Sequence, residues 1–126
     1  MAKKKIIIIG GGAAGMMAAE RFCNDFEIAI YEKGKTIGRK FLVAGNGGFN
    51  LTNKVEKEDL TQYYRSHNFL KKAILDNDSS KMRIWLSNLG IPTFIGTSGR
   101  IFPEKGIKPV QVLKSIRDRL IEKGVI

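Results

Sequence analysis

Four consecutive isoleucines, Ile6 to Ile9, run directly into Gly10-Gly11-Gly12-Ala13-Ala14-Gly15, and an acidic residue, Glu32, follows 22 positions after the first glycine. An apolar strand, a G-x-G-x-x-G turn, a helix, a second strand and a closing acid, in that order, describe a dinucleotide-binding βαβ unit. The flanks carry as much weight as the glycines. Ile6 to Ile9 reads as a parallel strand buried on both faces, Ala13 to Cys23 as an Ala- and Met-rich helix, and Glu27-Ile28-Ala29-Ile30-Tyr31 as the second strand.

Each position has a mechanical job, because the turn must bring bare backbone up to a pyrophosphate. Gly10 allows the tight turn, Gly12 lacks a side chain that would block the phosphates, and Gly15 lets the helix pack closely on the strand. The N-terminus of the helix, with Ala13 and Ala14 in its first turn, presents unpaired N–H groups and about half a positive charge to the anion. Glu32 can accept hydrogen bonds from a ribose diol and repels a 2′-phosphate, an exclusion that the neighbouring Lys33 softens.

At 126 residues and 43% hydrophobic, the chain is long enough for one ordinary core and short for a two-domain enzyme. Its last residues, Lys123-Gly124-Val125-Ile126, read as a helix cap followed by the opening of a strand, as expected of a fragment. Lys3-Lys4-Lys5 before the isoleucines superficially resembles a secretory leader, but glycines interrupt the apolar run after four residues. No window is long and apolar enough to span a membrane. The single Cys23 cannot form an internal disulfide, so a reducing, cytoplasmic setting is expected. The net charge of +10 is scattered in short clusters such as Arg39-Lys40 and Lys71-Lys72, which reads as a solvated surface.

Residues 33 to 57 form a polar, glycine-rich connection in which Phe41-Leu42-Val43 and Phe49-Asn50-Leu51 argue for order. A connection of that length is expected to be functional or disordered. Its glycines suit close backbone approach to a ligand, and Arg39 and Lys40 offer donors for phosphate oxygens. Beyond it, Asp59 to Arg65 and Asn68 to Leu75 are short helix candidates. Ser79 to Leu89 is a clearer one, capped by Asp78 or Ser79, stopped by Gly90, and carrying Met82, Trp85, Leu86 and Leu89 as an apolar stripe with Trp85 in the core. Residues 91–95 and 100–103 read as two short antiparallel strands around the turn 96–99. A last helix begins at Pro109 and is expected to bury Val110, Leu113, Ile116 and Leu120 before Gly124. His67 has no second ligand at metal-binding spacing, so no metal site is expected.

The segments GGGAAGMMAA (10–19), YEKGKTIGRKFLVAGNGGFNLTN (31–53), WLSNLGIPTFIGTSGRIFP (85–103) and KPVQVLKSI (108–116) together resemble the HI0933-like flavoproteins. These are bacterial proteins described as NAD(FAD)-utilising dehydrogenases. The GGFNLT form resembles their aminoacetone oxidase subgroup, whereas many relatives have Arg-Cys where this chain has Gly48-Phe49. The resemblance implies an incomplete α/β, Rossmann-like FAD-binding domain of the two-dinucleotide-binding-domain type, with a helical and short β insertion. It implies that residues 1–57 hold the βαβ unit and cofactor loop, and that 58–126 supply helices, short strands and a helix. Carried over by position, Gly10, Gly12, Ala13, Ala14 and Gly15 would face the pyrophosphate, and Glu32, with Lys33 beside it, the adenosine ribose. Arg39, Lys40, Asn50, Leu51 and Thr52 would lie along FAD, and residues 99–103 would link toward the substrate region.

The expected function is therefore that of an FAD-dependent oxidoreductase acting on a small-molecule substrate, with NAD(P) as a candidate electron donor in the intact protein. No residue here is an obvious catalytic acid, base or nucleophile. An NAD-dependent dehydrogenase shares the fingerprint but does not require the glycine-rich loop. A basic nucleic-acid-binding module would exploit the charge of +10, yet the basic residues match none of its motifs. Neither nucleic acid nor a membrane is expected as a partner.

Overall fold

Strand β1 (Lys5–Ile9) leads through the glycine turn into helix α1 (Ala13–Phe22) and returns as strand β2 (Glu27–Tyr31), parallel to β1 with Lys5 opposite Glu27 and Ile9 opposite Tyr31. The computed structural model describes residues 2–43, 49–55, 59, 61–64 and 67–126, the side chain of residue 67 excepted. They fall into two units, one of Met1–Gly45 with Lys108–Ile126 and one of Asn46–Ile107.

In the first unit, α1 packs against both strands, and the closing helix, here α5 (Pro109–Glu122), forms a layer with α1 and also meets the segment 39–43. Met16, Ala19, Val112, Ile116 and Leu120 fill that layer, each less than 5% exposed. Pro109 occupies the first turn of α5, where its missing N–H costs nothing. The Lys108 N–H donates to Gln111 Oε1 at 2.7 Å, which closes the helix start. At the other end Gly124, with φ of 79°, ends the helix. The chain then reaches the free side of β2: the Ile126 N–H donates to the Ile28 carbonyl at 3.1 Å, and the Ile126 carbonyl accepts from the Ile30 N–H at 2.7 Å. That alternation is the parallel ladder pattern.

Two expectations are corrected here. The isoleucine strand is not buried on both faces: Ile7 is 57% and Ile9 82% exposed, whereas Ile6 and Ile8 on the opposite face are half-buried. On α5, Val110 is 54% exposed and Val112 is buried in its place, since Val110 lies outside the stripe formed by Val112, Leu113, Ile116 and Leu120.

A partly buried charge cluster joins α1 to α5. Glu20 Oε1 lies 3.0 Å from Lys123 Nζ and 3.5 Å from Arg119 Nε, and the Glu20 side chain is 12% exposed.

The connection after β2 is not one long loop. It folds into helix α2 (Arg39–Val43) in the first unit and strand β3 (Thr52–Asn53) in the second. Residues 44–48, including the glycines of the GNGG run, lie outside the described residues. So does part of the Asp59–Arg65 helix candidate, of which the structure describes a 3-10 turn at Thr61–Tyr63.

The second unit continues with α3 (His67–Asp76) and α4 (Ser79–Asn88), then β4 (Thr93–Ile95) and β5 (Arg100–Pro103). Asp78 caps α4 by accepting from the Lys81 N–H at 3.0 Å. The expected hairpin forms, but its sheet has three strands in the order β3-β5-β4, with the central Ile101 fully buried between Thr52 and Ile95. Arg83 ties α4 to β4 by donating to the hydroxyl and carbonyl of Thr93 at 2.9 and 3.0 Å. Trp85 is half-buried rather than a full core residue, although its Nε1 is shut off from solvent.

Candidate functional site

The first unit holds a cavity of about 630 Å³ whose wall runs from the glycine turn through the segment after β2 to α2. Its floor is set by backbone. Gly10 turns the chain with φ of 102°, a conformation that side chains resist, while its N–H donates to the Tyr31 carbonyl at 2.8 Å. Gly15 lets α1 come so close to the strand end that a Cβ there would lie 2.0 Å from the Gly10 carbonyl oxygen. Gly12 is the N-cap of α1, and a Cβ on it would meet nothing within 4 Å. Its bareness serves the cavity, not the packing.

The start of α1 is an unspent donor site. The cap has no side-chain hydrogen bond, and the first turn has no acid. The first intrahelical bond of the cap is donated by Met16 to the Gly12 carbonyl, so the N–H groups ahead of it have no helical acceptor. With the helix dipole behind them, they form an anion-binding end.

Glu32 stands at the carboxyl end of β2 and does two things at once. Its Oε2 accepts from the Gly11 N–H at 2.8 Å and its Oε1 from the Gly34 N–H at 2.7 Å. These bonds, that from Gly34 first and that from Gly11 next, hold its carboxyl below the ordinary glutamate value. The segment it starts is tied back a second time, because the Gly38 N–H donates to the Gly11 carbonyl at 2.7 Å. Gly38 has φ of 65° and sits so tightly on α5 that a Cβ would lie 2.2 Å from Leu113 Cδ1. Arg39 and Lys40 open α2 immediately after it and line the cavity. Neither is paired with a carboxylate among the described residues.

The structure thus brings Gly12, Ala13, Ala14, Glu32, Arg39 and Lys40 onto one wall. Gly10 and Gly15 shape that wall without lining it, and the exposed Lys33 is not part of it. Asn50, Leu51 and Thr52 belong to the second unit. There Thr52 pairs with Ile101, the Leu51 N–H donates to the Ile101 carbonyl at 2.8 Å, and Asn50 Nδ2 lies 3.5 Å from Asn53 Oδ1.

Sequence reasoning overlooked Gly11, Gly34, Thr36, Gly38, Phe41 and Val43 as wall residues. A signal existed for the first: a Cβ on Gly11 would lie 2.4 Å from Ile37 Cγ2, and a third glycine where the fingerprint accepts any residue hints at such crowding.

A family model described as the HI0933-like protein Rossmann domain matches residues 4–126. The chain belongs to the HI0933-like family. No curated protein matches it. Among solved structures it is similar to the crystal structure of THI4 from Thermovibrio ammonificans, with a TM-score of 0.58 and 16% identity over 98% of this chain and 37% of that one. At that identity the likeness is one of fold, and the chain spans 37% of the length of this structural neighbour.

In this HI0933-like Rossmann domain the cavity offers donors to an anion at the α1 end, an acceptor at Glu32, and cations at Arg39 and Lys40. That set fits a molecule with a central diphosphate and a sugar diol. Among the described residues no group of three His, Cys, Asp or Glu could hold a metal ion, and no helix is long and apolar enough to cross a membrane.

Proposed function

We propose that this domain holds FAD in a flavin-dependent oxidoreductase. The observation that carries the reading is the pairing, on one wall, of the uncapped α1 end with the Glu32 carboxylate fixed at the end of β2. The N–H groups of Gly12, Ala13 and Ala14 would bind the diphosphate, Glu32 would accept from the adenosine ribose, and Arg39 and Lys40 would neutralise phosphate charge. When bound, the flavin supplies the hydride and electron chemistry itself. The residues here bind and orient it, and the family resemblance favours FAD over NAD. Asn50, Leu51 and Thr52 are carried over as cofactor contacts on that resemblance alone.

The test is to purify the longest reading frame that contains this chain and release its cofactor by heat. Flavin absorbance and FAD in the released fraction support the reading; a folded, colourless protein that ignores added FAD overturns it. Replacing Arg39 and Lys40 by Ala should weaken FAD retention at least tenfold, on the scale of one or two charge-assisted hydrogen bonds of about 1.5–3 kcal/mol each. Unchanged affinity would favour an NAD-dependent dehydrogenase, which shares the turn and Glu32.

A further inference from the structure

We propose that Glu32 is a positioning residue that fastens the glycine turn to the Lys33–Gly38 segment, so that the dinucleotide grip is assembled before any cofactor arrives. Its consequence for cofactor binding rests on the function proposed above, but the fastening itself does not. Three ties converge on Gly11. Its N–H donates to Glu32 Oε2 at 2.8 Å, its carbonyl accepts from the Gly38 N–H at 2.7 Å, and its Cα lies beneath Ile37, whose Cγ2 would be 2.4 Å from any Cβ. The other oxygen of Glu32 holds Gly34 at 2.7 Å, inside the same segment. One carboxylate therefore bridges two backbone segments that belong to different parts of the wall.

The bridge has a functional logic. A glycine-rich turn followed by a glycine-containing loop has high conformational freedom, and a ligand that had to order both would lose affinity to that cost. Two charge-assisted bonds from one side chain remove the freedom in advance. They also commit the Gly11 N–H, which leaves the diphosphate to the donors from Gly12 onward. The lone pairs of Glu32 not used by Gly11 and Gly34 remain for a sugar hydroxyl.

The experiment compares amide hydrogen exchange in the cofactor-free wild type, Glu32→Ala and Glu32→Gln, with FAD affinity measured on the same samples. Gln retains one acceptor oxygen and keeps the ability to bond a ribose hydroxyl, but its NH2 replaces the second oxygen, so it cannot accept from Gly11 and Gly34 on separate oxygens as Glu32 does. In Glu32→Ala the Gly11 and Gly34 amides should exchange roughly tenfold faster or more, and in Glu32→Gln at least one of them should, while the Glu27 and Ile30 amides, bonded to the Lys4 and Ile126 carbonyls, keep wild-type protection. Unchanged Gly11 and Gly34 amides in both variants would overturn the proposal. So would acceleration spread evenly over β1 and β2, which would make Glu32 a general structural residue. Loss of FAD affinity in Glu32→Gln with both amides still protected would also overturn it, because Glu32 would then act only by touching the cofactor. The localised loosening seen in a protein that never binds FAD would sustain the fastening and remove the proposed cofactor instead.

Discussion

A Cβ placed on Gly15 would stand 2.0 Å from the carbonyl oxygen of Gly10, five positions earlier. The clash is with backbone at the joint between β1 and α1, so no side-chain rotation relieves it. Gly15→Ala should therefore destabilise the fold by at least about 1–3 kcal/mol, the usual scale of overpacking. Urea unfolding with an unchanged m-value and a lowered midpoint is the expected record.

Gly12→Ala separates binding from stability. Nothing lies within 4 Å of the added methyl, and the φ of −76° suits alanine. The stability cost should stay near the ~1 kcal/mol typical of losing a favoured N-cap residue. Cofactor affinity should instead fall sharply, because Gly12 lines the cavity and the methyl would occupy the place proposed for the diphosphate. Isothermal titration with FAD alongside thermal unfolding checks both halves.

The link between α1 and α5 depends on Glu20, whose Oε1 lies 3.0 Å from Lys123 Nζ. Glu20→Ala leaves a lysine side chain that is only 20% exposed without its partner. A loss on the order of 2 kcal/mol is expected, below the 3–5 kcal/mol of fully buried pairs. A double-mutant cycle with Lys123→Met isolates the pair and should give a coupling energy clearly above the value for surface pairs.

Acidification should act through Glu32. Its carboxyl is held below the ordinary glutamate value by the Gly34 and Gly11 amides, so the folded state binds this proton less readily than the unfolded chain does. The sign follows: the contribution is complete above the unfolded pKa and is lost as pH falls through the lower, folded one. In an NMR titration the Gly11 and Gly34 amide protons should shift together, with a midpoint below that of a glutamate in an unstructured peptide. Glu32→Gln should abolish that titration.

The sequence by itself determined the βαβ unit, two helices of the second unit, its hairpin and the final helix. These are encoded locally: the isoleucine run, the spacing of Gly10, Gly12 and Gly15, the Asp78 cap, and Pro109 with Gly124 at the two ends of one helix. The acid at position 32 was legible for the same reason, since it closes the second strand. Only the tertiary structure decided what Glu32 holds, because its partner Gly11 lies 21 positions away and the contact depends on how β1 and β2 align. The same is true of Ile7 and Ile9, whose hydrophobicity alone could not tell that the fold leaves them exposed. It is true of β3, too short to be recognised until Thr52 found Ile101. Local patterns specify elements, whereas the closures between them depend on residues that meet only after the chain has folded.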